Sequence, residues 1–169
     1  KDITYYNGNR LLWRDDTVTG LKVGRTAEAG YCMAASAVRG NQGRIAVALG
    51  ASSDAQRTQD ALRLLNYGFE NFESVLLYRA QQPVKVATLY RGARSSVSLG
   101  FMQDFHLLMP RGAAASVKAV VMTQQPVVAP IRKGQPLGTL RLTLGGKLLG
   151  DYPLVALHEV SVAGILGRG

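Results

Sequence analysis

The stretch GYCMAASAVRGNQGRIAVALGA, residues 30–51, decides the fold because it holds two apolar runs on either side of a short polar turn. The runs 30–40 and 43–51 are bordered by glycines around Asn41 and Gln42, which is typical of a β-hairpin. Both runs are apolar at successive positions rather than at alternate ones. The pattern therefore indicates strands that are covered on both faces.

A helix-forming segment follows this hairpin. Ser52 or Ser53 suits the N-cap position, and Asp54 would then lie in the first turn, where a negative charge is favourable. Because apolar residues recur at helical spacing, we predict an amphipathic helix over about 54–72. These residues are Leu62, Leu65, Phe69 and Phe72. One helix covers one face of the hairpin, so the other face needs a partner.

Beyond this helix the sequence changes to short β segments with turn residues between them. FESVLLY (72–78) predicts an exit strand, and Gly145-Gly146 is suited to a two-residue hairpin turn. We therefore predict an α+β chain with a boundary near 74–83. Residues 1–80 form a sheet with a covering helix, residues 84–160 form a small all-β domain, and 161–169 form a tail.

Composition excludes several function classes. The 169 residues carry a net charge of +9, which favours anionic partners, but no zinc-finger, RRM or KH signature and no run of five basic residues is present, so we predict no nucleic-acid partner. Cys32 has no second cysteine to pair with, and its apolar neighbours predict a small core residue. His106 and His158 are far apart in sequence, so we expect no metal site and no cofactor.

The stretch TVTGLKVGRTAEAGYC (17–32) suggests a ligand site. Lys22 carries an ammonium group that can hold a carboxylate or tune a neighbouring hydroxyl, and Gly24 allows a substrate to lie close to the strand. A Lys-x-Gly tripeptide is common by chance. Its position before a predicted hairpin and helix makes it more specific.

Several segments, in order, resemble the D-alanyl-D-alanine carboxypeptidases of the low-molecular-mass penicillin-binding protein type. They are LLWRDDTVTGLKVGRTAEAGYCMAASA, LLNYGFENFE, LMPRG, APIRKGQPLGTL and GKLLGDYPLVAL. The resemblance implies a penicillin-recognising serine acyl-transferase domain followed by a β-rich domain. It also implies hydrolysis of peptidoglycan stem peptides ending in D-Ala-D-Ala, binding of β-lactams, and a periplasmic location at the inner membrane.

Such enzymes use three motifs, Ser-x-x-Lys, Ser-x-Asn and Lys-Thr-Gly. The third maps onto Lys22, Val23 and Gly24, with Val23 in place of the threonine, and the other two do not occur in this sequence. The resemblance thus covers the C-terminal part of such an enzyme, without catalytic residues, and predicts that this chain is inactive alone. Arg25 and Thr26 are further candidates for substrate binding.

Some alternatives stay open. Val23 suits either a site no longer in use or a retuned one, and Arg25 is either a carboxylate ligand or a solvated strand-end residue. The open sheet face predicts association with a missing N-terminal part or with a second copy. A membrane contact is expected only through a C-terminal amphipathic helix that is absent here. The alternative function is a non-catalytic, β-rich binding or positioning module for cell-wall partners.

Overall fold

The computed structural model describes residues 7–164, and these residues contain one α-helix, α1 (Asp54–Asn71), and two short 3-10 helices. They also contain twelve strands: β1 (Val18–Gly20), β2 (Val23–Thr26), β3 (Gly30–Arg39), β4 (Gln42–Ala51), β5 (Phe72–Tyr78), β6 (Pro83–Tyr90), β7 (Ser96–Gly100), β8 (Phe105–Pro110), β9 (Val117–Thr123), β10 (Val127–Val128), β11 (Pro136–Leu144) and β12 (Lys147–Ala156). The α+β class predicted from the sequence is confirmed.

The chain divides into two compact units between Glu73 and Ser74. The first unit holds α1 and the strands β1 to β4. The second unit holds the strands from β6 to β12 and most of β5. Each unit has its own cluster of buried apolar side chains.

Strands β3 and β4 form the antiparallel hairpin that the sequence predicts. Their register ends with Arg39 opposite Gln42, so the connecting turn consists of Gly40 and Asn41. Gly40 has a φ of 59°, in the left-handed region that glycine enters without steric cost. The turn therefore lies one residue earlier than the Asn41–Gln42 pair that the sequence favoured.

Helix α1 packs on one face of this hairpin. It begins after Ser53, whose hydroxyl accepts a hydrogen bond of 3.1 Å from an amide of the first turn. Leu65 is fully buried, while Leu62 and Phe69 pack at the edge of the same cluster. Phe72 has extended dihedrals and begins β5. The helix therefore ends one residue before the predicted limit.

The opposite face of the hairpin, which we call the open face, is not covered by the described residues. Along β4, Ala46 and Ala48 are buried towards α1, whereas the alternate residues Ile45, Val47 and Leu49 are 72%, 55% and 75% exposed. The sequence pattern predicts strands that are covered on both faces, but among residues 7–164 only the face towards α1 is covered. The 3-10 helix before β1 does not fill the gap, because its Leu11 lies in the cluster beneath α1.

Strands β1 and β2 lie along the same edge of β3. Both strands pair with one edge of β3, and β4 pairs with the other edge of β3 over the same stretch. Leu21, with a φ of 95°, separates the two short strands. The chain thus runs along β3 as a broken edge strand, and β2 has no further strand on its outer side among residues 7–164.

The second unit is built on a six-stranded sheet in the order β10-β6-β7-β12-β11-β9, and β5 pairs with β8. Leu144 lies opposite Lys147, which confirms Gly145-Gly146 as the hairpin turn, and both glycines have positive φ as that turn requires. Fully buried leucines from β7, β11 and β12 fill the core.

No helix within residues 7–164 is long and apolar enough to cross a membrane. Of the predicted tail, residues 161–164 are described, and Val162 forms an isolated bridge to Gly92. Residues 165–169 lie outside the described part of the chain.

Candidate functional site

The candidate site lies along the outer edge of β2. Lys22, just before this strand, exchanges two backbone hydrogen bonds with Ala34 of β3, of 3.1 and 2.8 Å. Gly24 lies opposite Cys32. The lysine side chain is exposed, and a Cβ placed on Gly24 would meet no atom within 4 Å. An extended ligand therefore has room beside the strand, next to an accessible ammonium group.

Val23 lies between these two residues and points the other way. It pairs with buried Met33, is itself half-buried, and packs against the cluster beneath α1. Its Cγ2 also approaches Gly8 closely, because a Cβ placed on that glycine would lie only 2.8 Å from it. Valine at this position thus contributes apolar packing, and its side chain offers no hydrogen-bonding group to a ligand.

Arg25 and Thr26 complete the strand. The Arg25 guanidinium lies over the ring of Tyr31, 4.7 Å from its centroid, so the ring fixes an exposed positive charge one residue beyond Gly24. The Thr26 hydroxyl accepts a hydrogen bond of 2.9 Å from the amide of Ala29 and closes the turn between β2 and β3. All four candidate residues therefore lie on one strand edge, but the Thr26 oxygen is engaged locally.

Arg57 of α1 is a site residue that the sequence reasoning missed. Its side chain is buried, and one terminal nitrogen donates to the carbonyl oxygens of Gly24 at 2.9 Å and Cys32 at 3.2 Å. Its Nε donates to Asp54 at 2.8 Å, and Asp54 also pairs with exposed Arg10 at 3.0 Å. The guanidinium thus joins the start of the helix to both strands at the site.

A signal for Arg57 exists in the sequence. A positive charge in the first turn of a helix opposes the helix dipole, so an arginine three residues after Asp54 needs a specific partner. The partner is Asp54 together with two strand carbonyls. The carbonyls lie 33 and 25 residues away in sequence, and no local pattern identifies them.

The other residues considered in the sequence analysis contribute no chemical group to this site. Cys32 is half-buried rather than a core residue, because it alternates with buried Met33 and its side chain belongs to the face away from α1. Its thiol contacts the Ala29 carbonyl at 3.4 Å. Among residues 7–164, no three His, Cys, Asp or Glu side chains come together in a way that could hold a metal ion.

The far end of β3 is fixed by a second arginine. Arg39 donates to Asp15 at 3.1 Å and to Asn66 of α1 at 2.7 Å, and it lies over the ring of Phe69. Hydrogen bonds from the side chain and amide of Thr17, and then Arg39, lower the pKa of the Asp15 carboxyl below its ordinary value. Two arginines therefore attach α1 to β3, one at each end.

Two families of known proteins match this chain. The family described as D-alanyl-D-alanine carboxypeptidase matches residues 1–53, and that of the penicillin-binding protein 5 C-terminal domain matches residues 72–162. The chain therefore belongs to the D-alanyl-D-alanine carboxypeptidases of the penicillin-binding protein 5 type. This confirms the family that the sequence motifs resemble.

Individual relatives agree. The chain is 37% identical over 164 residues to D-alanyl-D-alanine carboxypeptidase DacC of Escherichia coli, covering 96% of this chain and 41% of the relative. It is 34% identical over 161 residues to DacF of Bacillus subtilis, covering 95% and 41%. The crystal structure of penicillin-binding protein 5 from Haemophilus influenzae has a TM-score of 0.80 at 32% identity, covering 91% of this chain and 46% of that one. The chain thus spans less than half the length of these relatives.

Proposed function

We propose that this chain is the C-terminal part of a serine-type D-Ala-D-Ala carboxypeptidase that acts on peptidoglycan stem peptides. The observation that carries the proposal is the edge of β2. Lys22 is exposed and lies close to Gly24, which leaves free space for a ligand beside the strand. Arg57 fixes the strand by donating a hydrogen bond to the Gly24 carbonyl oxygen. A peptide with a terminal carboxylate matches this combination of an open strand edge and a fixed positive charge.

The reaction is an acyl transfer in two steps. A serine oxygen attacks the carbonyl carbon between the two D-alanines, the terminal D-alanine leaves with a proton, and water then hydrolyses the ester. No Ser-x-x-Lys and no Ser-x-Asn occurs in these 169 residues, so the serine and its base must come from elsewhere. We therefore expect this chain alone to be inactive.

Within the assembled site each residue of the strand has a role. The Lys22 ammonium holds the substrate carboxylate or lowers the pKa of a neighbouring hydroxyl, and Gly24 admits the peptide. Arg25 adds a second positive charge near the carboxylate, and Thr26 stabilises the turn that presents the strand. Val23 replaces the threonine of the motif, and because its side chain packs against the cluster beneath α1, we expect it to stabilise the strand and not to contact the ligand.

The open face is the second part of the proposal. Three large apolar side chains, Ile45, Val47 and Leu49, are exposed side by side on β4, and such a patch marks an interaction surface. The relatives are more than twice as long as this chain, which supports a preceding part of the same protein as the occupant. A second copy of the chain is the competing occupant. We place the assembled protein in the cell envelope, where its substrate lies.

A fluorescent penicillin tests the proposal. It should label the product of the complete reading frame that contains this chain and should not label the 169-residue chain. Unlabelled D-Ala-D-Ala peptide should compete with the label, and peptide mapping should place the adduct on a serine outside residues 1–169. Labelling of the isolated chain, or none of the complete product, would overturn the assignment.

A further inference from the structure

The net charge of the chain is concentrated in its second unit, and the proposed catalytic function does not use it. Residues 7–73 carry eight Lys and Arg against seven Asp and Glu. Residues 74–164 carry ten against three. The second unit is therefore a strongly basic domain, and the first is close to neutral.

Part of this charge gathers at one end of the second unit, which we call the basic end. Three segments are joined there by backbone hydrogen bonds. Residues 91–95 bond to 161–163, since the amide of Ala93 donates to Ser161 and that of Ala163 to Arg91, each at 2.9 Å. Residues 129–134 join through Ile131 and Val160, which exchange two bonds of 2.8 and 2.9 Å.

Four cationic side chains project from these segments, and all are exposed: Arg91, Arg94, Arg132 and Lys133. Glu159 lies just before the third of these segments, and it is the single acidic residue among residues 91–95, 129–134 and 159–163, which together carry a net charge of +3. None of the four cations takes part in an ion pair within residues 7–164. Arg94, Arg132 and Glu159 line an open pocket of about 420 Å³, so two positive charges and one negative charge border it.

The same end exposes apolar side chains. Tyr90 and Val128 are register partners on β6 and β10 and are 53% and 41% exposed, and Val162 is 52% exposed. Positive charges interleaved with an exposed aromatic ring and aliphatic groups suit the boundary between lipid headgroups and acyl chains. A nucleic acid would use the charges but would leave the aliphatic groups in water.

We propose that the basic end of the second unit is a docking surface for an anionic phospholipid bilayer. Lipid phosphates take positions at the guanidinium groups of Arg94 and Arg132, and Tyr90, Val128 and Val162 contact the interface. This contact needs no additional helix, which distinguishes it from the membrane contact expected from the sequence. It does not depend on the proposed catalytic role, so either proposal can fail without the other.

The test is sedimentation of the 169-residue chain with vesicles at about 0.1 M salt, where surface charges act over about 10 Å. Vesicles of phosphatidylglycerol and phosphatidylcholine in equal parts should bind the chain, and pure phosphatidylcholine should not. Each basic residue near an anionic surface contributes about fivefold to partitioning, so R94Q/R132Q should bind roughly 30-fold more weakly.

The matched control is K118Q/K147Q. These exposed lysines belong to the same unit and lie at the opposite end of β11 and β12, where Lys118 faces Thr143 and Lys147 faces Leu144. Their replacement removes the same charge and should change binding only a few-fold. Melting curves of both variants check that the second unit is intact.

Three results would overturn the proposal. One is an absence of binding to the anionic vesicles. Another is an equal loss of binding in the two variants, which would mean that the overall charge acts and not this surface. The third is binding to duplex DNA that is as tight as binding to the vesicles and equally sensitive to R94Q/R132Q. Inorganic phosphate at the same ionic strength should displace the chain from the anionic vesicles no better than chloride does.

Discussion

Replacement of Arg57 by alanine should destabilise the first unit far more than a matched loss elsewhere. The mutation removes two hydrogen bonds to strand carbonyls and the buried partner of Asp54. Breaking a buried ion pair from one side costs about 3–5 kcal/mol. Asp54 is 27% exposed and keeps its bond to Arg10, so we expect the lower end, about 3 kcal/mol. In a melting experiment on a unit of this size, this corresponds to a shift of roughly 12–24 °C.

Arg10 provides the control, because it contacts the same carboxylate with a side chain that is 65% exposed. Arg10→Ala should cost no more than about 1 kcal/mol. Hydrogen exchange adds a local readout: the amides of Lys22 and Ala34, which join the site strand to β3, should exchange faster in Arg57→Ala than in Arg10→Ala. Equal destabilisation by the two mutations, with equal exchange at those amides, would refute the proposal that Arg57 attaches α1 to β2 and β3.

Four further outcomes follow from the structure and the proposals. In the product of the complete reading frame, Val23→Thr should change penicillin acylation by less than about 10-fold, since the side chain packs beneath α1, and a gain of roughly 10- to 150-fold would show that a hydroxyl there reaches the ligand. Residues 74–164 expressed alone should give a β-type circular dichroism spectrum and one cooperative melt, since they have their own core; a random-coil spectrum would refute an independent domain. The lowered pKa of Asp15 contributes stability above its unfolded pKa of about 3.9, and this contribution is lost as the pH falls through the folded pKa. Asp15→Asn should therefore flatten the acid limb of an unfolding curve below about pH 4, and an unchanged limb would exclude this carboxylate. Serine substitutions across the open face should abolish concentration-dependent association of the chain in light scattering, whereas a wild-type chain that stays monomeric and binds no hydrophobic dye would contradict an interaction surface there.

Local patterns sufficed for much of the fold. The hairpin β3–β4, the helix α1 and the Gly145-Gly146 turn each depend on residues close in sequence, and the structure contains all three. The end of α1 and the turn between β3 and β4 each differ from the predicted position by one residue, because neighbouring residues share the backbone dihedral preferences that set such boundaries.

Long-range contacts account for what the sequence did not indicate. The position of Arg57 beneath Gly24 results from packing of α1 on the sheet, and β1 is too short to give a periodic signal. Cys32 has apolar neighbours in sequence but lies on the face away from α1, so composition alone predicts its burial wrongly. The gathering of basic residues at one end of the second unit likewise requires the pairing of three segments.

The rate of acylation in a Lys22→Gln variant of the complete reading-frame product tests the central claim most directly. Loss of one charge-assisted hydrogen bond to the ligand should slow labelling by fluorescent penicillin by roughly 10- to 150-fold. The control Lys85→Gln, an exposed lysine on β6 of the second unit, should label at the wild-type rate. A Lys22→Gln protein that melts normally and labels as fast as wild type would contradict the assignment of the β2 edge as the acyl-transfer site.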